Sequence, residues 1–133
     1  MLIQQLFSLE GKVAAVVGAG GVLAGEMAQA LAGVTIKAPA APLVCNVLAA
    51  PITDPDEIRR RLIEQVTGTV RWRESVAYMA GHGVTRFFEI GAGKVLSGLV
   101  KRIADGAVGI SISGPNDIAA AKDALAAAQT AQG

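Results

Sequence analysis

Residues 85–112 read TRFFEIGAGKVLSGLVKRIADGAVGISI and contain two short apolar runs around a segment with helical periodicity. The runs at 85–90 and 107–112 have the length and apolar character of buried parallel strands. Between them a helix is predicted from about Lys94 to Ile103, because its apolar residues recur on one face. The stretch therefore predicts a strand–helix–strand unit with a parallel pair of strands.

The rest of the chain continues this alternation of strands and helices. Together the elements predict the order β-α-β-α-α-β-α-β-α, with four mostly parallel strands. We therefore expect one α/β/α three-layer domain of the Rossmann-like or flavodoxin-like class. The further predicted elements are strands at 13–17 and 43–48 and helices at 22–32, 54–66, 70–79 and 115–128.

The start of the helix at 54–66 carries a clear local signal. Asp54 is the predicted N-cap, Pro55 takes the first helical position, and Glu57 follows three residues after the cap. Residues expected to be buried are Ile58, Leu62 and Val66 on this helix and Trp72, Val76 and Met79 on the next.

Composition excludes several classes of protein. The chain has 133 residues, a net charge of +1 and 52% apolar residues, which excludes disorder and argues against nucleic-acid or membrane-surface binding. A single cysteine and a single histidine exclude a disulfide framework and a zinc site of several Cys and His ligands. The N-terminus shows no signal-peptide pattern, and no apolar run reaches the roughly 18 residues of a membrane span, so a cytoplasmic location is expected.

Glycines cluster between the first predicted strand and helix, in VVGAGGVLAGEMA at 16–28. Such a turn lets a backbone approach a pyrophosphate at a helix N-terminus, which makes Gly18, Gly20 and Gly21 candidate cofactor-binding residues. A strict G-x-G-x-x-G pattern is not met, since Leu23 stands at the third glycine position. A tight turn without ligand is the alternative.

Residues 6–32, LFSLEGKVAAVVGAGGVLAGEMAQALA, resemble the N-terminus of short-chain dehydrogenases. The resemblance implies NAD or NADP as cofactor. The family has Thr-Gly-x-x-x-Gly-x-Gly here; this chain keeps Gly18 but has Val17, Val22 and Ala24 at the threonine and later glycine positions.

The catalytic part of that family is not matched. The resemblance implies a Tyr-x-x-x-Lys pair, whereas the only tyrosine, Tyr78, is followed four residues later by His82. No acidic residue stands about 20 residues after the glycines to hold a ribose.

Three stretches carry a longer resemblance: VTIKAPAAPLVCNV (34–47), EIRRRLIEQVTGTVRW (57–72) and ESVAYMAGHGVTRFFEIGAGKVLSGLVKRI (74–103). Through them residues 27–125 resemble the C-terminal third of malonyl-CoA:acyl carrier protein transacylases. The two resemblances overlap at the helix 24–33, so the chain is interpreted as a chimera of a dehydrogenase-like part (6–32) and a transacylase-like part (33–125), with a frayed end at 126–133.

The transacylase resemblance implies a nucleophilic serine in a G-x-S-x-G elbow, a histidine base and a carboxylate-binding arginine. The elbow and arginine belong to the part of the family that this chain does not match, and AAVVG (14–18) stands where the histidine is implied. Gln65, whose backbone carbonyl is implied to orient that histidine, and Asn46 at a neighbouring position are interpreted as structural remnants. No catalytic residue is predicted; the serines outside any such elbow are Ser8, Ser75, Ser97, Ser111 and Ser113.

Four further features have a structural interpretation beside a functional one. His82 is expected in an exposed loop that ends a helix, and Cys45 as an inert buried thiol. Glu89 is expected to pair with Arg86 or Lys94 or to cap a helix, with a catalytic role as the alternative. The segment 91–94, GAGK, is expected to be a tight turn, since it lacks the full phosphate-loop spacing.

Three hypotheses for function stay open. The chain is a scaffold without an intact active site, a weak nucleotide-binding module for NAD, NADP or CoA, or a self-associating domain. A homodimer and a monomer are both compatible with the sequence. Neither a metal site nor an intact acyl carrier protein site is expected.

Overall fold

The computed structural model describes residues 14–16 and 24–130, with the side chains of 24–127. The described chain divides after His82 into two compact units. The first holds 14–16 and 24–82, and the second holds 83–130.

The first unit combines three short strands with three helices. Strand β1 pairs in parallel with β2, and β2 pairs antiparallel with β3, with Cys45 opposite Ala50. Helix α1 packs against α2, and α3 packs against β2. The elements are β1 (Ala14–Val16), α1 (Ala24–Ala32), β2 (Leu43–Cys45), β3 (Ala50–Ile52), α2 (Pro55–Glu64) and α3 (Trp72–Gly81).

The predicted start of α2 is confirmed. The carboxylate of Asp54 accepts a 2.8 Å hydrogen bond from the backbone N–H of Glu57, and Pro55 takes the first helical position. This bond satisfies one of the N–H groups that a helix leaves unpaired at its start.

Strand β3 corrects the predicted sheet. Sequence patterning placed no strand at 50–52, because three residues with a central proline give too short a signal. Pro51 is exposed on this outer strand, where the missing N–H costs no ladder bond. The turn into β3 is tight: Ala49 has a φ of +53°, and its N–H donates to Cys45 O at 2.7 Å.

The core of the first unit agrees with the predicted apolar faces in part. Val76 and Met79 are fully buried and Ile58 is buried, whereas Leu62, Val66 and Trp72 are half-buried. Cys45 is a buried free thiol, as predicted.

The second unit confirms the strand–helix–strand prediction. Its two strands are parallel, with Arg86 opposite Val108 and Ile90 opposite Ile112. Val100, Ala104, Ala107 and Ala121 are buried. The elements are β4 (Arg86–Ile90), α4 (Val95–Ile103), β5 (Val108–Ile112) and α5 (Asp117–Thr130).

The mixed α/β class is confirmed, but the three-layer Rossmann-like arrangement is not. The described strands lie in a three-stranded and a two-stranded sheet, and one pairing is antiparallel. Helix α5 continues to Thr130, beyond the expected start of fraying at 126. The single-domain organisation stays a prediction, and residues 131–133 lie outside the described residues. No helix in the described ranges is long and apolar enough to cross a membrane.

Candidate functional site

The two positions implied by the transacylase resemblance lie in neighbouring turns of the first unit. Asn46 directly follows β2, is fully buried and opens the turn 46–49. Gln65 is the C-cap of α2, and its N–H donates to Arg61 O at 2.9 Å. We call the turns 46–49 and 65–68, together with Arg71, the Asn46 corner.

The surroundings of Gly68 show that the two turns are adjacent. A Cβ at Gly68 would lie 3.6 Å from both methyl carbons of Val47, which is ordinary van der Waals distance, so the end of α2 lies beside the residue that follows Asn46. The same Cβ would lie 2.9 Å from Glu64 O, which is shorter than real Cβ contacts. The glycine is therefore required by the tight turn 64–68 itself.

Arg71 holds the corner together through its backbone and its side chain. Its N–H donates to Asn46 O at 2.8 Å, and its Nη1 donates to Leu48 O at 3.1 Å. Its Nε also donates to Glu74 at 3.4 Å. Its half-exposed side chain therefore helps to fix the turn after β2.

Glu74 is the carboxylate beside this arginine. Its pKa lies below the usual value: a hydrogen bond from its own backbone N–H has the largest effect, desolvation opposes it, and Arg71 and Arg73 lower the pKa further. The carboxylate is exposed and ion-paired, so it does not have the raised pKa of a general acid.

With respect to the serines that the structure describes, the only histidine is not placed as a base. His82 is the exposed C-cap residue of α3, its Nδ1 lies 2.8 Å from Tyr78 O, and its ring stacks on that of Tyr78 at 4.1 Å between centroids. In the same unit, the hydroxyl of Ser75 donates to Arg71 O at 2.8 Å. The predicted helix-ending position of His82 is confirmed.

The serines of the second unit bind carbonyl groups. Ser97 Oγ donates to Lys94 O at 3.2 Å, and Ser111 Oγ donates to Gly93 O at 2.9 Å. Ser113 Oγ lies 3.0 Å from Ser111 Oγ. Ser8 lies outside the described residues.

The GAGK segment forms the predicted turn. Gly91 and Gly93 have φ values of +138° and +110°, which favour glycine. Two N–H groups in the first turn of α4 bind Glu89, whose carboxylate accepts from Ser97 N–H at 2.8 Å and Leu96 N–H at 3.4 Å. Of the alternatives for Glu89, the helix cap is the one observed. This carboxylate repels an anion at the helix start.

The candidate cofactor residues Gly18, Gly20 and Gly21 lie outside the described residues. Strand β1 and helix α1 stand on either side of them in the sequence. Among the residues that the structure describes, no group of three or more His, Cys, Asp or Glu side chains is arranged to hold a metal ion.

Comparison with known proteins identifies the larger part of the chain, although no family model matches. The malonyl CoA-acyl carrier protein transacylase of Escherichia coli is 43% identical over 98 residues, which are 74% of this chain and 32% of the relative. That of Bacillus subtilis is 40% identical over 93 residues, 70% of this chain and 29% of the relative.

Solved structures give the same result. The acyl-carrier-protein-S-malonyltransferase of Bartonella henselae matches with a TM-score of 0.70 and 42% identity, covering 77% of this chain and 33% of that chain. A malonyl-transacylase solved in complex with a type II polyketide synthase acyl-carrier protein matches with a TM-score of 0.66 and 32% identity, covering 76% and 33%. The chain thus spans about a third of the length of the relatives it matches. About three quarters of this chain are homologous to a segment of the malonyl-CoA:acyl carrier protein transacylases.

Proposed function

We propose that this chain is a scaffold derived from a transacylase segment and carries no complete malonyl-transfer site of its own. The observation that carries the proposal is the position of His82. Its Nδ1 lies against Tyr78 O, and the described serine hydroxyls donate to carbonyl groups or to one another. Acyl transfer by a serine needs a base within about 2.6–3.2 Å of the hydroxyl.

The Asn46 corner supports the same proposal. Asn46 and Gln65, the two positions that the resemblance implies near a histidine, occupy adjacent turns, and Arg71 bonds to the first of these turns. The chain has no histidine other than His82, so these positions have no imidazole to orient. We interpret the corner as a structural element that stabilises the first unit.

A malonyl-transfer assay tests the proposal. The purified chain is incubated with malonyl-CoA and an acyl carrier protein, and the E. coli transacylase serves as the positive control. We expect transfer at the rate of the protein-free blank. Turnover above the blank that is lost on changing one of the five serines to alanine would overturn the proposal.

We infer a second candidate function, nucleotide binding, from the elements that flank the glycine turn. A described strand, β1, precedes it and a described helix, α1, follows it, and β1 is parallel to β2. A chimera that joins a dehydrogenase-like strand, turn and helix to the transacylase-like part would have this arrangement. NAD and NADP are the ligands that the dehydrogenase resemblance implies.

Thermal unfolding with NAD, NADP and CoA tests this second function. A ligand at 100 times its Kd stabilises a protein by about 2.7 kcal/mol, which is readily seen as a rise in Tm. Gly20→Val should abolish the shift, whereas Gly25→Ala is the matched control, because a Cβ at Gly25 meets no atom within 4 Å. An unchanged Tm at millimolar ligand would exclude the second function.

A further inference from the structure

The turn that joins α4 to β5 carries the one Asp–Gly pair of the chain, Asp105 and Gly106. The N–H of Ala107 donates to the carbonyl of Ala104 at 3.2 Å and closes this turn. Asp105 and Gly106 form its tip, and both are exposed. Gly106 has a φ of +78°, a conformation that favours glycine. The tip therefore presents a short carboxylate beside a backbone nitrogen that no Cβ shields.

Neither of these two groups is held by a hydrogen bond. Within the described residues the N–H of Gly106 has no acceptor, since the bond that closes the turn is donated by Ala107. In the same part of the chain the carboxylate of Asp105 has no hydrogen-bond donor or ion-pair partner. The side chain and the nitrogen are thus both able to move towards each other.

The two aspartates of the first unit differ in this respect. Asp54 precedes Pro55, which has no N–H. Asp56 precedes Glu57, whose N–H donates to the carboxylate of Asp54 at 2.8 Å. A nitrogen fixed by such a bond cannot approach the preceding side chain without breaking it.

The two aspartates of α5 are restrained in the same way. Asp117 precedes Ile118, whose N–H donates to Pro115 O at 3.2 Å. Asp123 lies in the interior of the helix, where the following N–H is bonded to the preceding turn. Among the aspartates of the chain, Asp105 is therefore the one followed by an N–H without an acceptor in the described residues.

The chemistry open to this pair is closure of a cyclic imide. The Gly106 nitrogen attacks Cγ of Asp105 and forms an N–Cγ bond, while the amide hydrogen and the carboxyl hydroxyl leave together as water. Water then opens the ring. Cleavage of the N–Cγ bond restores aspartate, whereas cleavage between the nitrogen and the main-chain carbonyl carbon gives isoaspartate, in which the chain runs through Cβ and Cγ. The water lost on closure is regained on opening, so no other reactant is needed.

We propose that Asp105 is a modification site, at which the chain isomerises spontaneously to isoaspartate, and that this change loosens the start of β5. The product has one additional main-chain carbon between Ala104 and Ala107, which are 8% and 7% exposed and pack in the core of the second unit. The N–H of the next residue, Val108, donates to Thr85 O at 2.9 Å. We expect the longer turn to weaken this bond, because buried residues on both sides prevent the turn from relaxing.

Ageing of the folded chain tests the proposal. The full chain is kept in neutral buffer well below its Tm, and samples taken over several weeks are digested with trypsin. Trypsin cleaves after Arg102 and Lys122, so the resulting peptide contains both Asp105 and Asp117. We expect a second form of this peptide, of equal mass but different chromatographic retention, to accumulate with time. The protease Asp-N, which cleaves before aspartate but not before isoaspartate, should cleave this form at Asp117 and no longer at position 105.

Two matched variants identify the reacting carboxyl group. Asp105→Glu keeps the charge but lengthens the side chain, so that closure requires a larger ring, and the second form of the peptide should be lost. Asp123→Glu makes the same change at an exposed position of α5 and should leave the accumulation unchanged. Hydrogen exchange of the Val108 N–H should become faster on ageing in the wild type and in Asp123→Glu, but not in Asp105→Glu.

An aged, folded chain without isoaspartate at position 105 would overturn the proposal. If the chain unfolded in guanidinium chloride forms isoaspartate while the folded chain does not, the turn itself protects the pair. Accumulation of the second form in Asp105→Glu would show that the reaction lies elsewhere, and an unchanged exchange rate at Val108 would refute the effect on β5. None of these results depends on malonyl transfer, so failure of the proposed function is seen separately.

Discussion

The carboxylate of Glu89, on β4, accepts a 2.8 Å hydrogen bond from the backbone N–H of Ser97, in the first turn of α4. The residue before the helix, Lys94, gives no side-chain cap, so the preceding strand supplies one. Desolvation raises the pKa of Glu89, but hydrogen bonds from Ser97 and from Leu96 N–H outweigh it and leave the pKa below the usual value. The strand and helix are thus joined by a charged cap.

Glu89→Gln should destabilise the second unit by about 1 kcal/mol at neutral pH, because the cap loses its charge. A carboxylate with a lowered folded-state pKa stabilises the fold above its ordinary pKa of 4.5, and this contribution is lost as the pH falls through the lower folded value. The difference between wild type and variant should therefore disappear in acid. Thermal melts and hydrogen exchange of the α4 amides measure it.

The control for this prediction is Asp123→Asn, an exposed carboxylate on α5. It removes the same charge without removing a helix cap, and should leave α4 exchange unchanged at neutral pH. Faster exchange in the control than in Glu89→Gln would contradict the assignment of the cap.

Gly109 and Gly98, on facing elements of the second unit, should respond oppositely to alanine. A Cβ at Gly109 would lie 2.1 Å from Ser97 O and requires β5 and α4 to separate, at a cost of about 1–3 kcal/mol. A Cβ at Gly98 meets nothing within 4 Å, and alanine there should stabilise α4 by roughly 0.5–1 kcal/mol. Urea unfolding of both variants measures whether each change lowers or raises the free energy of unfolding. A Gly109→Ala protein as stable as the wild type would show that β5 does not lie this close to the α4 backbone.

Local signals were sufficient to predict the second unit and the start of α2. The apolar runs and the Asp54–Glu57 spacing depend only on nearby residues, and the structure confirms both. Strand β3 was missed because its pairing is determined by β2 and not by its own three residues.

The candidate site was less predictable because its contacts, like the pairing of β3, join residues whose own neighbours in the sequence give no signal of them. Arg71 reaches the carbonyl of Leu48, 23 residues earlier in the chain, and Gly68 reaches Val47. Neither contact has a periodic pattern in the sequence. Only the family resemblance placed Asn46 and Gln65 in one site, and it gave no indication of the arginine that joins their turns.

Asp54→Ala should cost about 1 kcal/mol, because Glu57 N–H loses its side-chain acceptor at the start of α2. Asp56→Ala is the matched control: it removes the same charge from the first turn of α2 but leaves the N-cap in place. Chemical unfolding should show the larger loss for Asp54→Ala, and equal losses would mean that charge alone, and not the cap, stabilises the helix.

Arg71→Met should loosen the Asn46 corner and expose the single thiol of the chain. The variant loses the 3.1 Å bond from Nη1 to Leu48 O, worth about 1 kcal/mol for a half-exposed group, and so favours local opening of the turn after β2. Cys45 is buried directly before that turn, so its labelling by a thiol reagent under native conditions should become about fivefold faster. Arg73→Met removes a neighbouring exposed cation and should leave the labelling rate unchanged. If both variants label at the wild-type rate while remaining folded, the guanidinium does not hold the corner, and the backbone bond from Arg71 N–H to Asn46 O is sufficient to keep it closed.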